Sequence, residues 1–215
     1  MAVRVRTAGR RRPSSTQWLR RQLNDPYVAA ARRHGYRSRA AFKLIELDDR
    51  FHLLRRGGRV VDLGCAPGGW TQVAVERVGP RGRVVGLDLA EVAPIAGALL
   101  LRADLTEAVV VDALKQALRG DAEIVLSDMA PATTGHAPTD HLRMMALAEA
   151  AFAIAREILK PGGTFVAKVF QGGAEGELLA DLKRCFTETR HAKPPASRAE
   201  SAETYVVAKG FRKNG

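Results

Sequence analysis

The chain has 215 residues, 46% of them hydrophobic, and lacks the run of about eighteen apolar residues that a membrane helix needs, so one globular domain with a full core is expected. Its formal net charge is +11, and twelve of the 34 Lys/Arg fall within residues 1–43 against the single acid Asp25, leaving 22 basic and 22 acidic residues in the remainder. Cys65 and Cys185 form no C-x-x-C pair, which argues against a disulfide framework and for a reducing cytoplasm as the compartment.

The excess charge therefore sits on an N-terminal arm, residues 1–37, expected to be partly disordered or helical. Its arginine-rich, acid-poor start is shared by mitochondrial transit peptides, but it shows no clear amphipathic period, and no apolar stretch marks a secretory signal. Such blocks are commonly solvated tails; toward a polyanion the same arginines would supply phosphate contacts and counterion release. Trp18, Tyr27 and Tyr36 lie among them, suited either to stacking on bases or to anchoring the arm on the core.

From Ser38 onward short apolar runs alternate with helical stretches. Ser38 can cap a helix running to about Arg50 with Phe42, Ile45 and Asp49 along one face. Gly57-Gly58 ends it, and Arg59–Leu63 (RVVDL) reads as a buried strand. A helix over Gly69–Val78 and the strand Arg83–Asp88 follow, then a strand at Ala98–Arg102, a helix over Glu107–Leu118 and the strand Ala122–Asp128. Thr139–Leu159 is a long helix stopped by Lys160-Pro161-Gly162-Gly163. The strand Thr164–Phe170, the helix Gly176–Cys185 and short strands around Thr187–Ala192 and Thr204–Ala208 finish the chain. This alternation predicts an α/β fold with a mostly parallel sheet covered on both faces, and a ligand site beyond the carboxyl ends of its strands. Asp62, Asp88, Asp104 and Asp128 all fall at or just past predicted strand ends, a pattern of a site and not of packing.

Asp62-Leu63-Gly64-Cys65-Ala66-Pro67-Gly68-Gly69-Trp70 joins strand to helix. Gly64, Gly68 and Gly69 remove side chains where a ligand could approach backbone N–H groups, and Asp88 can accept from ribose hydroxyls. Taken alone this suits NAD as well as S-adenosylmethionine. The G-x-G-x-x-G spacing is absent, however, and Asp104 is placed to take an adenine amino group, which favours S-adenosylmethionine. Trp70 either closes the pocket wall or is an ordinary core tryptophan. Lys168 lies inside the apolar strand FVAKVF, where an unpaired lysine is seldom buried without a function; the alternative is a side chain reaching solvent along the sheet edge. Asp128 is its natural partner across adjacent strands, or else a helix cap. The histidines His34, His52, His136, His141 and His191 show no ligand spacing and are expected on the surface or in loops; no metal site is expected.

Five blocks then stand in order: SRAAFKL (Ser38–Leu44), DLGCAPGGW (Asp62–Trp70), LSDMAP (Leu126–Pro131), FVAKVFQG (Phe165–Gly172) and SAETYVVA (Ser201–Ala208). Together they resemble the FtsJ/RrmJ ribose 2′-O-methyltransferases, over about Gly35 to Gly210. The resemblance implies a Rossmann-like class I methyltransferase over residues 38–215, with a mostly parallel seven-stranded sheet and helices on both faces. It implies a catalytic set on Lys43, Asp128, Lys168 and Glu203, and cofactor contacts from Asp62, Gly64, Gly68, Trp70, Asp88, Asp104 and Asp128. It implies S-adenosylmethionine as methyl donor and a uridine ribose in large-subunit (23S) ribosomal RNA as acceptor, handled by a cytoplasmic monomer without a membrane partner. Cys65 departs from the small residue usual there, and the arm has no counterpart that can be matched. Transfer RNA, an mRNA cap and a noncatalytic RNA-binding assembly role are the competing readings; keeping all four catalytic positions argues against the last. A ribose hydroxyl is a poor nucleophile, so the chemistry needs a positioned base as well as alignment.

Overall fold

The protein's structure, a computed structural model, describes residues 22–170 and 176–213. The expectations for Trp18, for the arginines up to Arg21 and for Gln171-Gly172 lie outside those residues. Helix α1 (Pro26–His34) opens on the Asp25 carboxylate, which accepts from the Tyr27 amide, carries proline in its first turn, and ends on Gly35 in the left-handed conformation. Its last turn holds Arg32, Arg33 and His34, cations that complement the carboxyl end of a helix. Part of the basic arm is thus a well-capped helix. Tyr27 packs on Phe42 at 5.5 Å between centroids and donates to Glu46, and Tyr36 donates to Glu76, so both tyrosines anchor the arm to the body.

The elements that follow are α2 (Ala40–Phe51), β1 (Arg59–Leu63), α3 (Gly69–Val78), β2 (Arg83–Asp88), β3 (Ala98–Arg102), α4 (Val110–Leu118), β4 (Ala122–Ser127), α5 (Ala137–Ile158), β5 (Leu159–Phe170), α6 (Gly176–Cys185), β6 (Phe186–Ala192) and β7 (Glu203–Phe211). They build one seven-stranded sheet in the order β3-β2-β1-β4-β5-β7-β6. Pairings among β1 to β5 are parallel, and β7 is antiparallel to both β5 and β6. Alternate residues of the central strands feed two separate cores. Val61 and Phe165 face the core filled by Leu114, Phe152 and Leu182, from α4, α5 and α6, while Val60 and Val166 face the one filled by Leu44, Leu47 and Val73, from α2 and α3. Burial on both faces is why β1, β2 and β4 read as apolar runs.

Three expectations change. The inward face of α2 is Ala41, Lys43, Leu44, Leu47 and Asp48; Phe42 instead meets Tyr27, His34 and Tyr36 in a second layer, and Asp49 is exposed beside Arg77. The strand β5 starts at Leu159, five residues early, because Leu159 pairs with Ala122 across a register shift in β4. His141 is half-buried within α5, 6.4 Å from the Phe170 ring, whereas the other four histidines are exposed. Among the described residues no helix is long and apolar enough to cross a membrane, and no cluster of three or more His, Cys, Asp or Glu could hold a metal ion.

Candidate active site

The strand order reverses between β1 and β4, and a cavity of about 360 Å³ opens beyond their carboxyl ends, where ligands bind in open α/β sheets. Gly64, Ala66, Asp88 and Asp128 line it, with Leu87, Ala103 and Leu105 as apolar wall. Gly64 takes φ +72°, and a Cβ built there would lie 2.1 Å from the Cγ of Met129, so no other residue fits the turn without moving the wall. Gly68 takes φ +113° and caps α3, leaving the first amides of that helix without a side-chain cap.

The Asp88 carboxylate ends β2 and organises the loops: Oδ2 accepts from the Ala66 amide and Oδ1 from the Ala90 amide, both at 2.8 Å. Each oxygen keeps a lone pair for a ligand. Asp104 stands between the wall residues Ala103 and Leu105, its Oδ1 accepting from the amide and hydroxyl of Thr106; those bonds hold its carboxyl below the usual value. Asp62 lies elsewhere than at the rim. It is 1% exposed inside β1, beneath the glycine loop, where Oδ2 accepts from Thr71 and Oδ1 is buried without a hydrogen-bond partner. Burial, with Asp128 and Asp88 nearby, pushes its carboxyl up to about 7. Trp70 is not on the cavity wall either. It is 3% exposed, donates its indole N–H to the Ala40 carbonyl and packs 5.6 Å from the Tyr205 ring.

Next to the cavity four charged side chains alternate in sign. Lys168 Nζ lies 2.9 Å from Asp128 Oδ1 and also donates to the Asp128 carbonyl at 2.8 Å. Lys43 Nζ lies 2.7 Å from Glu203 Oε1. Each ammonium sits 3.8 Å from the other pair's carboxylate, Lys43 from Asp128 and Lys168 from Glu203. Lys43 and Lys168 are 8% and 7% exposed, so neither is a solvated surface lysine. Charges taken this far from water persist only when paired and hydrogen-bonded, and here every one is. Burial alone would raise the Glu203 carboxyl, but the ammonium groups of Lys43 and Lys168 with the Ser197 hydroxyl hold it below the ordinary value.

Two members of this network escape sequence reasoning. The Tyr205 hydroxyl donates to Asp128 Oδ1 at 2.5 Å and lies 3.3 Å from Glu203 Oε1, and burial next to the two carboxylates keeps it protonated well above the usual range. Tyr205 stands two residues after Glu203 on β7 and opposite Lys168 across the β5–β7 ladder; strand period two would have placed it on the same face as Glu203. Ser197 donates to Glu203 Oε1 at 2.7 Å from the loop before β7, and no periodicity announces it.

Asp128 lines the cavity described above, whereas Lys43 and Glu203 line a second, open groove of about 430 Å³ with Arg39 and Arg198. Three members of the quartet thus line two neighbouring spaces, one glycine-lined and partly apolar, the other bordered by Glu200 and by Arg39 and Arg198, which both pair with Asp25.

A family model described as FtsJ-like methyltransferase matches residues 36–211. Ribosomal RNA large subunit methyltransferase E of Paramagnetospirillum magneticum is 63% identical over 99% of this chain and 89% of its own length; its counterpart in Rhodospirillum rubrum is 61% identical over 98% and 81%. A ribosomal RNA methyltransferase from Plasmodium falciparum superposes with a TM-score of 0.73 at 31% identity, covering 82% of this chain and 98% of that one. With a match that runs from Tyr36 to the last residue of β7, the chain belongs to the FtsJ-like methyltransferase family.

Proposed function

We propose that the protein transfers a methyl group from S-adenosylmethionine to the 2′-hydroxyl of a uridine ribose in large-subunit (23S) ribosomal RNA. The observation that supports this most is the buried Lys-Glu/Asp-Lys quartet bordering the two spaces, which suits a transfer between two ligands better than binding of one.

The residues present fit the donor. A cavity of about 360 Å³ falls within the ~300–1,000 Å³ of small-molecule sites. Gly64 leaves backbone where a Cβ would collide, Asp88 retains acceptors for vicinal hydroxyls, and Leu87 and Leu105 offer apolar surface to a purine. Asp104 at the wall would take the adenine amino group, and Gly68 would leave the α3 amides open to the donor. Asp62 and Trp70 act from beneath the loop, Asp62 with one unfilled acceptor, and Trp70 by bracing Tyr205. When bound, S-adenosylmethionine supplies an electrophilic methyl group on a sulfonium sulfur, open to in-line displacement by an oxygen nucleophile.

The chain's own residues supply alignment and proton transfer. Lys168, once its ammonium has given a proton to solvent and stands as the neutral amine, receives the hydroxyl proton on Nζ. Asp128 holds Lys168 by both carboxylate and carbonyl and faces the cavity, so it would also meet the positive charge of a sulfonium bound there. Lys43 and Glu203, fixed by Ser197 and each other, position the ribose from the groove side. Residues 1–37 form an RNA-docking arm and residues 38–215 the methyltransferase domain, working as a cytoplasmic monomer. Calorimetry with S-adenosylhomocysteine and with NAD, together with 2′-O-methyl mapping of total RNA from cells with and without the gene, tests the reading. Binding of the first and one lost uridine methylation in large-subunit RNA are expected; NAD binding or an unchanged methylation map would overturn it.

A further inference from the structure

Arg37 lies in the connection between α1 and α2 and, by sequence, counts among the arm's phosphate-seeking cations. Its side chain is committed elsewhere. Nη1 donates to the carbonyls of Pro67 at 3.1 Å and Ala93 at 2.7 Å, and Nη2 donates to the Pro94 carbonyl at 2.7 Å. One planar guanidinium therefore joins the glycine loop after β1 to the loop between β2 and β3, adding to the bond from the Ala66 amide to Asp88 at the end of β2. The base of the side chain is fixed as well: the Arg37 amide donates to the Gln72 side chain at 2.8 Å, and Gln72 donates back to the Gly35 carbonyl at 2.9 Å. A Cβ at Gly68 would meet Ile95 Cδ1 at 2.5 Å and Arg37 Nη1 at 3.1 Å, so the glycine that caps α3 is also what lets these parts close on one another.

Both clamped loops border the donor cavity. Ala66, next to Pro67, lines it and donates to Asp88, and Leu89, four residues before Ala93 in the β2–β3 loop, lines it as well; the carbonyls Arg37 holds stand one step behind the wall. We propose that Arg37 is a positioning residue: it holds the β2–β3 loop against the glycine loop and so preforms the adenosyl end of the cavity, and it does not contact RNA phosphate. The role in shaping the cavity rests on the donor reading above; the clamp itself does not. The geometry requires the fork, because the two Nη atoms reach three carbonyls in fixed directions while a lysine offers one point of charge.

The test uses the full chain and its Arg37→Ala and Arg37→Lys variants. Hydrogen exchange without ligand reads the clamp directly: amides of residues 89–97 should exchange at least about tenfold faster in both variants, while β1 and β4 amides keep their protection. S-adenosylhomocysteine affinity should fall about tenfold in Arg37→Ala, equivalent to about 1.4 kcal/mol. The salt dependence of RNA binding, measured with that ligand saturating, should stay as in the parent. Wild-type exchange in residues 89–97 would overturn the clamp, as would a lysine variant identical to the parent, and a salt slope smaller by ~0.7–0.9 would make Arg37 a phosphate contact instead. If the parent itself fails to bind S-adenosylhomocysteine, the donor reading falls, and the exchange result still decides the clamp.

Discussion

Replacing Tyr205 by phenylalanine deletes one oxygen from the centre of the buried charged quartet and leaves the ring where it is, packed on Trp70 and under the Lys43 ammonium. The deleted hydroxyl donates to the Asp128 carboxylate at 2.5 Å and is itself fully buried, so water cannot take its place without opening the core. A hydrogen bond to a charged group contributes about 1.5–3 kcal/mol. In a chain of this length each 1 kcal/mol moves Tm by roughly 2–4 °C, which puts the expected fall at about 3–12 °C. Asp128 keeps both ammonium neighbours in the variant, so folding should survive, but the carboxylate is then free to turn about its side-chain bonds. If that freedom is expressed fully in the barrier, the single-turnover rate of methyl transfer drops roughly ten- to hundredfold. The assay pairs a thermal melt with single-turnover kinetics at saturating donor and RNA. A Tyr205→Phe protein that melts and turns over like the parent would refute the claim that Tyr205 holds Asp128 in place.

Other expectations concern the cavity, its charge and the arm. Asp88→Ala should weaken S-adenosylhomocysteine binding by ~1–3 kcal/mol, since ligand hydroxyls and the Ala66 and Ala90 amides all lose an acceptor; unchanged calorimetric affinity would remove Asp88 from the ribose site. The Asp62 carboxyl is raised from 3.8 to about 7 by burial, so the native state favours its protonated form. Its contribution to stability is complete below 3.8 and is lost as pH rises through about 7. Asp62→Asn should therefore flatten the decline of urea midpoint with pH over that window, and an unaltered profile would contradict the assignment. Removing residues 1–21 deletes seven arginines and should reduce the salt slope of RNA binding by up to ~0.7–0.9 for each phosphate those arginines neutralise, with donor affinity unchanged; equal RNA affinity and slope in the truncated protein would make that stretch a tail.

How far the sequence could be read depends on what each segment had to satisfy. The strands β1, β2 and β3 fall at the boundaries expected from it, because each is a short apolar run between glycines, prolines or acids; β1 and β2 are buried, and β3 keeps its place at the open edge by pairing along its length with β2. Asp88 and Asp128 are where strand-end acids should be. Asp62 is not, since period alone does not tell whether an acid at a strand's end faces the rim or is drawn beneath the loop. Lys43 is legible only through the resemblance: within α2 a lysine beside apolar residues reads as a solvated face, and its burial depends on Glu203, 160 positions later and on the far side of β5. Phe42 misled for a similar reason, because the arm supplies a second apolar layer that helical period cannot foresee. Tyr205 was in view within the last motif, and attention to strand alternation would have picked it out; Ser197 and the fork of Arg37 depend on loop closures that no local pattern encodes.

The central claim is that Lys168 takes the ribose proton. Lys168→Arg keeps the positive charge and nearly the length of the side chain, so the pairing with Asp128 can persist, but a guanidinium does not give up its proton in a protein. The measurement is the single-turnover rate of methyl transfer by Lys168→Arg with donor and RNA bound at parental affinity. General-base catalysis predicts a loss of about 10²–10⁴; a rate close to that of the parent would contradict it and leave alignment by Asp128 and Lys43 as the source of the acceleration.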